Sequence, residues 1–115
     1  MALDMEMITF DCTDPVKLAT WWAEQFDGKT QDLIPGEFVA VIREQGPRLG
    51  FQKVPDPTPG KNRVHVDFSA ADVDAEVARL KSAGAAETGQ HRIGDHFRWV
   101  VLADPDGNAF CVAGS

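Results

Sequence analysis

A net charge of −7 over 115 residues, with Lys and Arg scattered rather than gathered in a stripe, argues against a nucleic-acid partner, because phosphate tracking needs clustered cations. The length allows one domain with a core that needs no staples, and 43% hydrophobic with 25% charged residues is the balance of a globular chain. No apolar run approaches the roughly 20 residues of a spanning helix and no basic-then-apolar leader opens the chain, so a cytoplasmic protein with no membrane contact is expected.

In chain order, Leu3–Thr13 is the first predicted strand. Ile8, Phe10 and Cys12 alternate there with Met7, Thr9 and Asp11, the pattern of a ribbon with one apolar face. Asp14–Asp27 follows as a helix, with Asp14 as N-cap, Pro15 at the first helical position and Gly28 as the stop. Trp22 and Phe26 fall on its core stripe. Trp21 lies one step round, at the helix margin or a subunit contact. Lys29–Ile34, Glu37–Glu44 and Leu49–Val54 are short strands, with turns at Pro35-Gly36 and Gly46-Pro47. Pro55–Lys61, carrying three prolines and a glycine, is a connector.

Beyond it the plan recurs. Arg63–Ser69 is a strand in which Val64, Val66 and Phe68 alternate with His65, Asp67 and Ser69. Asp72 caps a helix over Asp72–Ala83 with Val73, Val77 and Leu80 on one side, and Gly84 is its C′ residue. A weak strand near Ala86–Arg92 precedes His96–Ala103, the turn Asp104–Asn108 and the strand Ala109–Ala113. With Asp14 set on Asp72, Ala19, Trp22 and Phe26 fall on Val77, Leu80 and Gly84, a tandem repeat without a gap. The expected fold class is therefore α+β: one domain of two βαβββ modules, about 3–54 and 62–113 joined by 55–61, with curved mixed sheets around a central cavity. Cys12 belongs to the helix-facing set and Cys111 to the opposite one, so both are expected as free thiols.

Four segments carry a resemblance: TDP at Thr13–Pro15, HVDF at His65–Phe68 with His65 seven residues before Asp72, the helix DVDAEVARLKSAGA, and DPDGNAFCV at Asp104–Val112. With these the chain resembles the vicinal oxygen chelate superfamily, in particular its small glyoxalase-like and bleomycin-resistance-like proteins. The resemblance implies a ligand cavity between modules, and commonly a homodimer. Metal-dependent members place two His and one or two Glu on the first and last strands of each module; the matching places here are Met7, Gln52, His65 and Cys111. Only His65 keeps a residue of that type, and a Glu often found two residues after the turn glycine is Ala109 here. A thioether and an amide serve Mg, Mn, Fe or Ni badly. No cofactor is expected, although a Met/His/Cys set suits a soft ion such as Cu(I), or zinc, and a divalent metal stays open.

By strand parity the cavity-facing residues are Met7, Thr9 and Asp11; His65, Asp67 and Ser69; and Ala109, Cys111 and Ala113. The candidate ligand-binding residues are Thr9, Asp11, Gln52, His65, Asp67, Trp99 and Cys111. His65 is the candidate catalytic residue, a general base or hydrogen-bond donor modulated by Asp67 or Asp11, or else a plain binding residue. Asp11 and Asp67 either attract a cationic group or pair with Arg63, Arg98 or Lys53. Parity leaves open whether Trp99 faces cavity or core. Cys111 is either a reactive thiol beside His65 or, with no further basic group evident, inert. His91 and His96 fall in a loop-like, solvated stretch. Three functions follow: a metal-free binder of a small organic, in one reading cationic, ligand; a lyase, isomerase or dioxygenase using a metal or His65; or an interaction module whose cavity is filled by Met7, Phe51 and Trp99.

Overall fold

The computed structural model describes residues 5–60, 65–95 and 97–114. The chain divides into two compact units, Met1–Pro57 and Thr58–Ser115. In the first, β1 (Met7–Cys12), α1 (Pro15–Gln25), β2 (Lys29–Ile34), β3 (Phe38–Ile42) and β4 (Arg48–Lys53) succeed one another, and the sheet order is β1-β4-β3-β2. In the second, β5 (Val66–Ser69), α2 (Val73–Ser82), β6 (Ala86–Ile93), β7 (Phe97–Ala103) and β8 (Ala109–Gly114) form a sheet in the order β5-β8-β7-β6. β1 runs parallel to β4 and β5 parallel to β8, and the other pairs are antiparallel. Parallel pairing demands a long connection, which the helix and the two strands after it supply. The predicted α+β class, with two βαβββ modules, is the observed one. Leu3, Asp4, Arg63, Val64 and His96, to which strand positions were also assigned, lie outside the described residues.

The repeat extends to the caps. Asp14 Oδ1 accepts from the Lys17 backbone N–H at 3.1 Å and Asp72 Oδ1 from that of Ala75 at 3.0 Å, each three residues on, satisfying an otherwise orphan donor of the first turn. α2 carries Asp74 and Glu76 in its first turn and Arg79 and Lys81 in its last, matching the helix dipole. Two exposed ion pairs lie between α2 or its N-cap turn and the sheet. Arg98 Nη2 meets Asp74 Oδ1 at 2.6 Å, and Lys81 Nζ meets Glu87 Oε1 at 2.8 Å. Hydrogen bonds from Lys81 and then Gln90 hold the Glu87 carboxyl below its ordinary range.

Each helix covers one face of its own sheet. Leu18, Ala19 and Trp22 are buried with Val39, Val41, Leu49 and Phe51, and Val73, Val77 and Leu80 with Val100, Leu102, Phe110 and Val112. Phe51 therefore does not close a cavity as the third functional reading expected. It is 0% exposed and stacks on Phe10, with ring centroids 5.2 Å apart. No helix among the described residues is long and apolar enough to cross a membrane.

The two helix stops differ. Gly84 takes the predicted left-handed conformation (φ 113), and the Ala85 N–H donates back to the Leu80 carbonyl at 3.0 Å. After α1 it is Asp27, not Gly28, that turns left-handed (φ 54), which a short polar side chain tolerates. Gly28 is needed for space: a Cβ there would lie 2.6 Å from Val41 Cγ1 and 3.2 Å from the Ile42 carbonyl oxygen. Val41 is fully buried and β-branched, so it has little freedom to yield. Gly28→Ala should accordingly cost about 1–3 kcal/mol of stability by overpacking. Urea unfolding followed by far-ultraviolet circular dichroism checks this, and an unchanged midpoint would show that α1 and β3 can separate freely.

Candidate functional site

Directly opposed residues on neighbouring strands share a face, which lets the register assign the paired side chains of the second sheet. β5 against β8 pairs Asp67 with Cys111 and Ser69 with Ala113. β8 against β7 pairs Cys111 with Val101 and Ala113 with Trp99, and β7 against β6 pairs Trp99 with His91. All of these stand on the face away from α2. Trp99 is thus on the helix-free face with Cys111, while its neighbours Val100 and Leu102 are buried beneath the helix. Parity could not decide this because both sets are apolar; the β7–β8 register does.

His91 is not in a loop. It lies in β6 and stacks on Trp99, with centroids 5.1 Å apart and ring planes at 24°, while Phe97 tilts against the other ring at 5.9 Å. Sequence reasoning passed over His91 because Gly89, Gln90 and Arg92 around it look loop-like. Its two-residue alternation with Gly89 and Ile93 was the available signal.

His65 stands just before β5, on the same side as Asp67 by the two-residue period of the strand. Its Nδ1 lies 3.4 Å from Asp67 Oδ1 and 3.9 Å from Cys111 Sγ. The Cys111 thiol is nearly buried, at 4% exposure, whereas the His65 and Asp67 side chains reach solvent. Both partners approach the same ring nitrogen. A relay with the carboxylate on one imidazole nitrogen and the thiol on the other is therefore not what is built; three ligand-type atoms converge instead, all within 4.8 Å of one another. The basic group beside Cys111 is His65, as the reactive-thiol alternative expected. Arg98, a proposed partner for Asp67, is on the helix side and pairs with Asp74.

In the first unit the equivalent face carries Met7, Thr9 and Asp11, opposite Arg48, Gly50 and Gln52 respectively. Thr9 and Asp11 are exposed. Met7 packs over Gly50: a Cβ at that glycine would lie 2.5 Å from Met7 Sδ and 3.0 Å from Thr9 Oγ1. Gln52 is the neighbour of Asp11, four residues along β4 from the partner of Met7, or about 13 Å at strand rise. Since Thr9 matches Asp67 in the repeat, Gly50 and not Gln52 is the counterpart of Cys111. Matching the ends of the two modules misplaced it, because register is set across strands and not along one. A hard divalent ion prefers imidazole and carboxylate donors, which metal-dependent members of the resembled superfamily place on each module. The first offers a thioether beside a bare glycine, so these residues do not fit such an ion.

Neither cysteine is in a disulfide. Cys12 points to the α1 face, where its thiol donates to the Gln52 carbonyl at 3.7 Å.

A family model described as a glyoxalase-like domain matches residues 7–113. Among solved structures, the chain is similar to a glyoxalase/bleomycin resistance protein/dioxygenase family enzyme from Burkholderia phytofirmans PsJN (TM-score 0.81, 18% identity, covering 96% of this chain and 98% of that one). It is also similar to a lactoylglutathione lyase from Agrobacterium tumefaciens (TM-score 0.72, 17% identity, 98% and 94% covered). A third similar structure is the oxidase ChaP-H2 (TM-score 0.70, 18% identity, 100% and 95% covered). A search of curated proteins returned no match. Identities this low carry the fold alone, and the match across 7–113 carries the family. The chain belongs to the glyoxalase-like domain family, and with it to the vicinal oxygen chelate superfamily.

Proposed function

We propose that the protein binds a small organic ligand bearing a cationic group, using the helix-free face of its second sheet and no hard divalent metal. One observation carries this reading: an exposed carboxylate and a stacked aromatic pair share that face. The Asp67 side chain is 68% exposed and touches His65, and Trp99 with His91 supplies an aromatic wall. Asp67 and Trp99 are two strands apart and two residues out of step, so their Cα atoms are separated by about 12 Å. That span suits a planar polycyclic cation, with its charge at one end and its rings at the other.

A second reading, a lyase, isomerase or dioxygenase centred on His65, draws support from the convergence of His65, Asp67 and Cys111 and from similar structures named as a lyase and an oxidase.

Ethidium, a planar aromatic cation, tests the first reading on chelator-treated protein. Saturable quenching of tryptophan fluorescence, with affinity reduced about tenfold or more in Asp67→Asn and in Trp99→Leu, is the expected result; tenfold corresponds to about 1.4 kcal/mol. Unsaturable quenching, or wild-type affinity retained in both variants, would sink it.

A further inference from the structure

The disagreement with a hard-ion site has a specific form: one module has lost its donors, while the other holds three of a different chemical kind. We propose that His65, Asp67 and Cys111 form a three-donor site for a thiophilic divalent ion, zinc foremost, contained entirely within the second unit. A tetrahedral zinc centre with bonds of 2.0–2.3 Å sets its donor atoms about 3.3–3.8 Å apart. His65 Nδ1 and Asp67 Oδ1 are at 3.4 Å, and His65 Nδ1 and Cys111 Sγ at 3.9 Å. All three donors already lie within 4.8 Å of one another. Small rotations of two solvent-reaching side chains close the remaining gap.

The scaffold favours the arrangement. Cys111 is held directly across the parallel β5–β8 pair from Asp67, so the relation of sulfur to carboxylate is set by backbone register. Along β8 the residues flanking Cys111 on its own face are the small Ala109 and Ala113. The sulfur is buried and the other two donors are open to solvent, so an ion can enter from outside and meet a thiol shielded from water. On binding, the Cys111 thiol gives its proton to solvent and ligates as thiolate, His65 ligates as neutral imidazole and Asp67 as carboxylate. The assembled site, two positive charges against two negative, is neutral, and a fourth position is left for water. Cys12 offers nothing comparable, since its thiol faces α1 and donates to a backbone carbonyl.

Cobalt(II) reads the site directly, because thiolate ligation produces a charge-transfer band in the near ultraviolet and four-coordination intensifies the visible d–d bands. Titrating metal-free protein with Co²⁺ should give both, saturating at one equivalent, and zinc should abolish them while excess Mg²⁺ does not. Cys12→Ala should keep the charge-transfer band. Cys111→Ala should lose it, as should the nearly isosteric Cys111→Ser, with the far-ultraviolet spectrum confirming that each variant is folded. Asp67→Asn should weaken cobalt binding at least tenfold. No band in the wild type, a band that survives in Cys111→Ser, or displacement by Mg²⁺ would overturn the proposal. Trp99→Leu separates this outcome from that of the organic ligand: it should lose ethidium and keep cobalt.

Discussion

Trp22→Ala should remove about 3–5 kcal/mol of stability, a large part of the 5–15 kcal/mol that a domain of this size possesses. Trp22 is 1% exposed and is the largest fully buried side chain of the first unit. Three aromatic rings surround it: Trp21 edge-on at 5.0 Å, Phe10 at 5.9 Å and Phe26 at 6.4 Å. Truncation forfeits the transfer energy of the indole and leaves a void whose walls cannot collapse. Phe10 is stacked against Phe51 on the sheet side, and the guanidinium of Arg43 lies over the Phe26 ring at 5.2 Å. The measurement is urea unfolding by far-ultraviolet circular dichroism, since the substitution removes part of the fluorescence signal. Trp21→Ala, at a half-buried position on the edge of the same cluster, should cost clearly less. Equal losses would mean that the unit is organised around the pair and not around Trp22.

The stripe that carries Trp22 was legible in the sequence because helix periodicity, caps and strand alternation are all local. Asp14, Asp72 and the residues three positions after them meet within one turn, and no knowledge of the rest of the chain is needed to place them. What was not legible depends on partners far away in sequence. Gly28 looked like a helix stop because glycine commonly is one, whereas its real constraint comes from Val41 on another strand. Gln52 looked equivalent to Cys111 until the β1–β4 register put Gly50 there. Trp99 had no assignable side because Val100 and Leu102 are as apolar as Trp99 and Val101. The proximity of His65 to Cys111, 46 residues apart, was reachable because two separate motifs each fixed one of them on the same face. Asp67 joined them through the period-2 alternation alone, and that third donor gives the cluster its zinc-like chemistry.

Asp104→Ala should cost about 2–4 kcal/mol, far more than a turn residue usually costs, because this carboxylate does the work of a backbone. Asp104 is the one charged residue in the buried class among those described, at 4% exposure. Its Oδ1 accepts from the Asp106 N–H at 3.0 Å, the Asn108 N–H at 2.8 Å and Asn108 Nδ2 at 3.1 Å, while Oδ2 accepts from Asn108 Nδ2 at 2.9 Å. Charge-assisted bonds to backbone donors are the strong kind, and removing their acceptor strands the donors in a half-buried turn. Gly107 (φ 90) and the Asp104 N–H to Asn108 carbonyl bond at 2.9 Å close the same turn, so its geometry is set redundantly but its donors are satisfied by one side chain. Asp104→Asn should recover most of the loss, to within about 1 kcal/mol, because Oδ1 still serves both backbone donors and the Asn108 amide can turn its oxygen to the new NH₂ group. The consequence reaches the site, because this turn fixes where β8 starts and hence that Cys111 lies opposite Asp67. Native-state hydrogen exchange should show the β7–β8 amides losing protection in Asp104→Ala before those of the first unit change. Uniform loss over both units would mean that the two unfold as one, and that the turn sets their common stability instead of a local register.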